Sequence, residues 1–339
     1  MASEMTGAAP GRIADPVRGF PGRRPGSLRR VSSLAVSAPD GWDAGTVVEA
    51  AAGESGTGDD GQAISRGHAG LRARLGPDWH VAELDGDLPG PGIAARLTGL
   101  PVNRGFRKAL AAAAEEGLAP DSLITALLDD LPTVQLVSGY ARLLEGAPPP
   151  AAAKNPVEPP ADSRPLGPVL NICRGWAPGG TAHHLMLAGQ PPVTEIPAAP
   201  AFGDLVADPG DFIGEPELRP HSMRRRRILE VTPAGGRAEI WEYFRDSHVD
   251  GDGRERSLHE YVVTAVVGTG DLTVREIAVE PRSLPFPECP LASPGARELI
   301  GTPLPDIDAE VRSRLAGIAG CTHLNDVLRF LRFAQPLIS

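Results

Sequence analysis

The sequence contains few of the residues that usually reveal a function. Its 339 residues include three cysteines, two lysines (Lys108 and Lys154) and only 4% aromatic residues. Three cysteines cannot build a disulfide framework, and an odd number without the apolar core of a secretory signal favours free or metal-bound thiols in a reducing compartment. No apolar run approaches the roughly 20 residues of a membrane span. We therefore expect a cytoplasmic protein that does not act at a membrane.

The charge balance narrows the expected partners. The formal net charge is −10 at pH 7, whereas general nucleic-acid binders normally carry a basic surplus that neutralises phosphates. Nucleic acid is therefore not an expected partner. The length allows two domains, each able to bury its own core.

Composition divides the chain into five regions. A proline-, glycine- and arginine-rich start without apolar periodicity predicts a flexible tail, because such a segment cannot offset the entropy lost on ordering. A Pro/Ala-rich stretch predicts an exposed spacer, and the Pro/Gly-rich stretch after it predicts a functional insertion or lid. The predicted regions are a disordered tail at 1–28, an N-terminal α+β unit at 29–145, a linker at 146–168, an irregular insertion or lid at 169–218 and a C-terminal α+β unit at 219–339.

Both α+β units have the same order of elements. Alternating apolar residues predict three or four antiparallel strands, and segments with helical periodicity predict about three helices after them. In the N-terminal unit, Pro132 is expected to separate a helix at 122–131 from one at 134–144. In the C-terminal unit, helices are expected at 293–300, 308–316 and 322–334, the last ended by Pro336.

The two units also align with each other at a nearly constant offset. Leu34 pairs with Leu229 and Val36 with Val231, and later strands and helices follow in the same order. A fixed offset is typical of internal duplication. We therefore predict the α+β class with two degenerate repeats, each an antiparallel three- to four-stranded sheet with helices on one face.

Two cysteines and a histidine of the C-terminal unit carry the strongest chemical signal. Cys289 lies between two prolines, and Cys321 lies two positions before His323 at the predicted start of the last helix. A helix N-terminus stabilises a thiolate, which both metal binding and nucleophilic attack require. Two sulfurs and an imidazole suit zinc or iron. The spacing from 289 to 321 is not a C-x-x-C motif, so the fold must bring these residues together.

Further donors are expected from the sheet or the insertion. Strand alternation allows Asp246 and His259 to reach a site at the end of the sheet, and Cys173 is a donor within the insertion. Glu260 or Asp246 is the candidate base for a reaction at the metal or at Cys321. Three interpretations stay open, namely metal-free thiol chemistry, buried cysteines with a purely structural role, and a metal site formed by Cys289, Cys321, His323 and His259.

Four consecutive arginines at 224–227 form the densest charge run. Arg225 and Arg227 could bind a phosphate or an acyl-carrier pantetheine, because guanidinium groups match phosphate geometry. The favoured interpretation is a strand edge that charge keeps soluble.

The C-terminal unit resembles a family of uncharacterised bacterial proteins, a domain of unknown function with an H-x-M, P-x-x-C and G-C-T-H-L pattern. The matching residues are His259, the Pro-Glu-Cys289 segment and Gly-Cys321-Thr-His323-Leu, within about 219–335. One departure is that His259 is followed by Glu-Tyr and not by x-Met.

The order of elements is also similar to that of the IscU/NifU-like iron–sulfur scaffold proteins. This resemblance implies Cys289, Cys321 and His323 as ligands, with Asp246 or His259 in the sheet position. The first cysteine of those scaffolds has no counterpart here. The resemblance therefore implies a retained metal site more than a role in cluster assembly.

These observations predict an enzyme of accessory or secondary metabolism that acts on a small acyl or polyketide-like molecule. It would use a zinc or iron site as a Lewis acid or water activator, or else the Cys321 thiolate. The alternative is a non-catalytic metal-binding or iron–sulfur-handling protein. An acyl carrier or another protein, docked on the arginine run, is the expected macromolecular partner.

Overall fold

The computed structural model describes residues 16–146, 170–190, 192, 197–200, 214, 216–217 and 219–338. The predicted linker at 146–168 lies outside these residues except for its first position, and so do residues 1–15 of the predicted tail. Much of the predicted insertion after residue 190 also lies outside them.

Eight strands form one antiparallel sheet with the order β4-β3-β2-β1-β5-β6-β7-β8. The strands of both predicted units are therefore joined edge to edge, with β1 paired to β5 at the centre. They are β1 (Leu28–Ser37), β2 (Thr46–Thr57), β3 (Ala63–Leu75), β4 (Val81–Gly86), β5 (Ser222–Pro233), β6 (Arg237–Val249), β7 (Glu255–Gly268) and β8 (Val274–Pro281). The α+β class is confirmed, and the duplication stays a prediction.

Seven α-helices accompany the sheet in the described part of the chain. They are α1 (Pro91–Leu97), α2 (Phe106–Ala112), α3 (Leu123–Leu144), α4 (Thr181–Leu187), α5 (Ile307–Arg314), α6 (Thr322–Phe330) and α7 (Gln335–Ile338). Helices cover one sheet face and enclose one apolar core over each half of the sheet. None of the described helices has the length and apolar character that a bilayer crossing requires.

The longest helix, α3, corrects the prediction at Pro132. That proline lies inside a continuous helix and does not separate two helices. The flanking residues Leu131 and Val134 are buried in the N-terminal core. Tertiary packing therefore outweighs the local penalty of a proline in the helix interior.

Two helix predictions in the C-terminal unit were also wrong. The segment expected to form an α-helix at 293–300 is a 3-10 run, Cys289–Leu299, because Pro290 and Pro294 remove amide donors and favour tight turns. Pro336 does not end the helical region but lies in the first turn of α7, where a missing amide donor is tolerated.

The arginine run is the largest correction. Residues Arg224–Arg227 belong to β5, which lies between β1 and β6 in the middle of the sheet. Their side chains are no more than 2% exposed. The predicted solvated strand edge is therefore wrong, and four buried guanidinium groups need partners inside the fold.

The segment before β1 packs on the sheet face opposite the helices. The Val17 amide donates to the Glu260 carboxylate over 3.0 Å, and the Phe20 ring lies edge-on to Tyr243 at 4.6 Å. The packed part of the chain therefore extends N-terminally beyond the predicted boundary at residue 28.

Candidate metal and thiol site

The candidate site lies where β6, β7 and the start of α6 meet. Asp246 and His259 are register partners on neighbouring strands, and the first turn of α6 places His323 beside them. One ligand atom from each of these three residues lies within 4.8 Å of the others. Among the described residues this is the one group of three or more His, Cys, Asp or Glu donors that close together.

The two imidazoles are stacked. The ring centroids of His259 and His323 are 3.4 Å apart and the planes meet at 17°. Burial, together with the His323 and Arg225 charges, lowers the pKa of His259 well below its usual value. His259 is therefore neutral at pH 7, and its buried Nδ1 has no hydrogen-bond partner in the described structure. A neutral imidazole with a free nitrogen is the form that binds a metal.

Asp246 is held in place by Arg225. The guanidinium Nε and Nη2 donate to the two carboxylate oxygens over 2.8 and 2.9 Å, which is a bidentate pair. The Asp246 Oδ2 lies 3.8 Å from His259 Nδ1. Arg225 therefore fixes the carboxylate that faces the unpartnered ring nitrogen.

Cys321 is the N-cap residue of α6 and lies beside the histidines. The Tyr261 hydroxyl donates to its Sγ over 3.3 Å. Burial opposes the thiolate, but the hydrogen bond and charge of His323, with the Tyr261 hydroxyl, hold the pKa of Cys321 below its usual value. This thiol is the one suited to react or to bind a metal.

The other two cysteines lie close by in a different state. Burial, aided by the neighbouring thiols, raises the pKa of Cys289 well above its usual value and that of Cys173 to about 11. A Cβ on Gly175 would lie 2.9 Å from Cys289 Sγ and 3.9 Å from Cys173 Sγ, so only glycine permits this approach. Both residues are neutral thiols at pH 7.

All three cysteines and both histidines line one cavity of about 270 Å³. The C-terminal half of α3 forms one wall and residues 172–176 of the predicted insertion form another. The fold thus brings Cys289, Cys321, His323 and His259 to the same cavity. The tight donor group, however, contains Asp246 and neither cysteine.

Two predicted site residues lie elsewhere. Glu260 is on the opposite sheet face, where it accepts hydrogen bonds from Arg245 and the Tyr243 hydroxyl, so the prediction of Glu260 as a base at this site is wrong. Arg227 is buried in an ion-pair cluster. It therefore has no exposed surface for a phosphate, and the same is true of Arg225.

An ion-pair cluster beneath the helices has four arginines and four aspartates at its centre, and Glu242, Asp308 and Arg332 pair with these central members. Asp326 of α6 lies within 3.2 Å of a nitrogen from each of the four arginines. Asp130 of α3 contacts Arg225 and Arg227. The central members are Arg107, Arg225, Arg227, Arg329, Asp129, Asp130, Asp246 and Asp326. Sequence reasoning named Asp246 but missed Asp129, Asp130 and Asp326, although all three lie in predicted helices.

The donor set fits a divalent metal. Two imidazoles and a carboxylate suit zinc or iron(II), and the orphaned Nδ1 of His259 is a buried polar atom that such an ion would satisfy. Arg225 occupies one position on each Asp246 oxygen, and a carboxylate offers further lone pairs. The residues present therefore can hold the metal that the sequence predicts.

The part of the chain that contains this site is similar to a known protein family. The model of a family described as "Protein of unknown function (DUF2889)" matches residues 222–335. No curated protein and no solved structure matches the chain. The likeness to the iron–sulfur scaffolds stays a prediction. Residues 222–335, from β5 to α7, are thus similar to a domain family of unknown function, as the sequence predicted.

Proposed function

We propose that this protein is an enzyme that uses a divalent metal, zinc or iron(II), to transform a small molecule held in the cavity. The observation that carries the proposal is the group formed by Asp246, His259 and His323, whose two histidines line the cavity. Catalytic sites typically combine three protein ligands with an open position, whereas structural sites are closed by four.

The residues would divide the work as follows. His259, His323 and Asp246 hold the ion, and Arg225 keeps the carboxylate oriented. The bound ion would polarise an oxygen of the substrate or lower the pKa of a water molecule. Cys321, whose pKa is lowered, lies next to this position, and the walls of the cavity are mostly apolar.

Metal analysis of the purified full chain tests the proposal. We expect about one equivalent of zinc or iron in the wild type and a loss of most of it in His259→Ala and His323→Ala. His184→Ala is the matched control, because His184 is exposed on α4 outside the cavity lining. A wild-type protein without metal after growth in metal-supplemented medium contradicts the proposal.

A second candidate is metal-free thiol chemistry at Cys321. The lowered pKa of Cys321 and its Tyr261 hydrogen bond favour it. If this candidate is right, iodoacetamide modifies Cys321 before Cys289 or Cys173. Treatment with a chelator then leaves the rate of Cys321 modification unchanged. If removal of metal by the chelator changes the rate of Cys321 modification severalfold, the thiol is a neighbour or ligand of a bound metal.

We also propose that the chain arose by duplication. Strand order runs outward from the central β1–β5 pair in both directions, four strands on each side. Helices follow the four strands in each half. The cavity lies where the halves meet, since α3 of the first half and β7 of the second both line it.

A further inference from the structure

The cavity wall is rich in aromatic side chains. Aromatic residues make up 4% of the chain, yet Trp79, Tyr140, Trp176 and Phe286 all line this one cavity. Aromatic rings pack on other rings by offset stacking or edge-to-face contact. Their concentration here indicates a ligand that contains a ring.

These aromatic side chains are held in fixed orientations before any ligand binds. Trp176 and Phe286 meet edge to face, with ring centroids 6.1 Å apart at 80°. The Tyr140 ring lies edge-on to His248 at 5.8 Å, and Trp79 is buried. A preformed wall lowers the entropy lost on binding.

The charges around the cavity disfavour an anionic ligand. Arg142 is the one cation in the described lining apart from the histidines, and it donates to Asp43 and to the Trp42 carbonyl. An added anion would find no unpaired arginine or lysine in the described lining, and the Asp246 carboxylate lies within 4.8 Å of both histidines. Burying an unpaired charge in such a place is strongly unfavourable.

The residues that line the cavity differ in exposure. His259 and Cys321 are buried, and Thr322 and His323 beside them are half-buried. Leu136, Leu143 and Ile172 also line the cavity and are about 40% exposed. The ligand should therefore bind with one oxygen group directed at the histidines and with its rings against the exposed apolar residues.

We propose that the cavity binds an uncharged molecule of one or two fused rings that carries a single hydroxyl or carbonyl group. Such a molecule would be the substrate of the proposed enzyme, and this part of the proposal rests on the proposed function. Binding of the molecule does not require the metal. The volume of about 270 Å³ lies just below the roughly 300–1,000 Å³ common for ligand pockets, which limits the ligand to this size.

Calorimetric titration of the full chain with 2-naphthol and 2-naphthoate tests the inference. The two probes share the same ring system, and only the second is an anion at pH 7. In chelator-treated protein, where only the protein groups act on the probe, we expect saturable binding of 2-naphthol and at least tenfold weaker binding of 2-naphthoate. Equal or tighter binding of 2-naphthoate, or no saturable binding of 2-naphthol, overturns the proposal.

A cavity-filling variant locates the probe. Gly139 of α3 lines the cavity, and a Cβ there meets no atom within 4 Å, so Gly139→Leu should fold. It should weaken 2-naphthol binding at least tenfold, whereas Leu187→Ala, exposed on α4, should not change it. Unchanged binding in Gly139→Leu places the probe elsewhere and overturns the proposal.

The two proposals can fail separately. If the protein contains metal but does not bind 2-naphthol, the proposal of a ring-binding cavity is wrong and the proposed metal site stands. Binding of 2-naphthol by a protein that never contains metal removes the metal enzyme and leaves the cavity.

Discussion

Helices α3 and α6 begin in different ways although each follows four strands of the same sheet. At the start of α3, the Thr125 amide donates to the Ser122 hydroxyl over 3.3 Å, which is a normal N-cap. At the start of α6 the N-cap residue is Cys321, whose side chain makes no capping bond. Its thiol meets Tyr261 and His323 instead.

The difference separates a helix start that a hydroxyl caps from one whose N-cap residue lines the cavity. An N-cap hydroxyl contributes about 1 kcal/mol of stability, which α6 forgoes. Below their first turns the two helices act alike, because Asp130 of α3 and Asp326 of α6 both bind Arg225. The halves thus share one ionic support and differ at the residue that faces the cavity.

The largest expected effect tests the shared support. Asp326→Asn should lower the free energy of unfolding by about 3–5 kcal/mol, because it removes the one carboxylate that contacts all four arginines of the cluster. Chemical denaturation at pH 7 measures this. Glu280→Gln, which breaks an exposed pair with Arg282, is the control and should cost about 0–1 kcal/mol. Equal losses in the two variants would show that the cluster is not a support.

Low pH should reduce the difference in free energy of unfolding between the wild type and Asp326→Asn. Burial opposes the Asp326 carboxylate, but the surrounding arginines hold its pKa below the usual value. A lowered pKa means that the stabilisation is present above the unfolded-state pKa, about 3.9, and is lost as pH falls below it. The gap between wild type and Asp326→Asn should therefore be constant from pH 7 to 5 and narrow below about pH 4. A gap that widens in acid contradicts the assigned charge.

The smallest effects test the helix starts themselves. Ser122→Ala should destabilise by about 1 kcal/mol through the lost cap. Cys321→Ser should change stability by less than this, since a serine can cap α6, while it alters metal content or thiol reactivity. Thermal denaturation with metal analysis of both variants measures the contrast. A larger loss of stability in Cys321→Ser than in Ser122→Ala would show that the thiol is mainly structural.

Much of the fold could be predicted because its signals are local. Strand alternation predicted three or four strands in each half, and the structure has four in each; the helix predicted from residue 122 begins at Leu123. The errors at Pro132 and Pro336 arose where packing or helix position outweighed a local rule. The joining of β1 to β5 depends on long-range pairing, which no short pattern encodes.

The site was predicted in part for the same reason. Cys321 and His323 are neighbours in sequence, and strand alternation brought Asp246 and His259 into consideration. Glu260 was misplaced because its neighbour His259 faces the cavity and successive strand residues face opposite sides. Asp130 and Asp326, which pair with the buried arginines, come from helices that are distant in sequence. The run of arginines was therefore interpreted as a surface strand, although its side chains form buried ion pairs.

The central position of β5 has a consequence for how the matched region could be used alone. A fragment restricted to 222–335 would lack β1, so β5 would become an open sheet edge with unpaired backbone groups, a template for aggregation. Arg225 and Arg227 would also lose Asp130. In this protein, the boundary of the family match is therefore a boundary of sequence similarity and not of an autonomous folding unit.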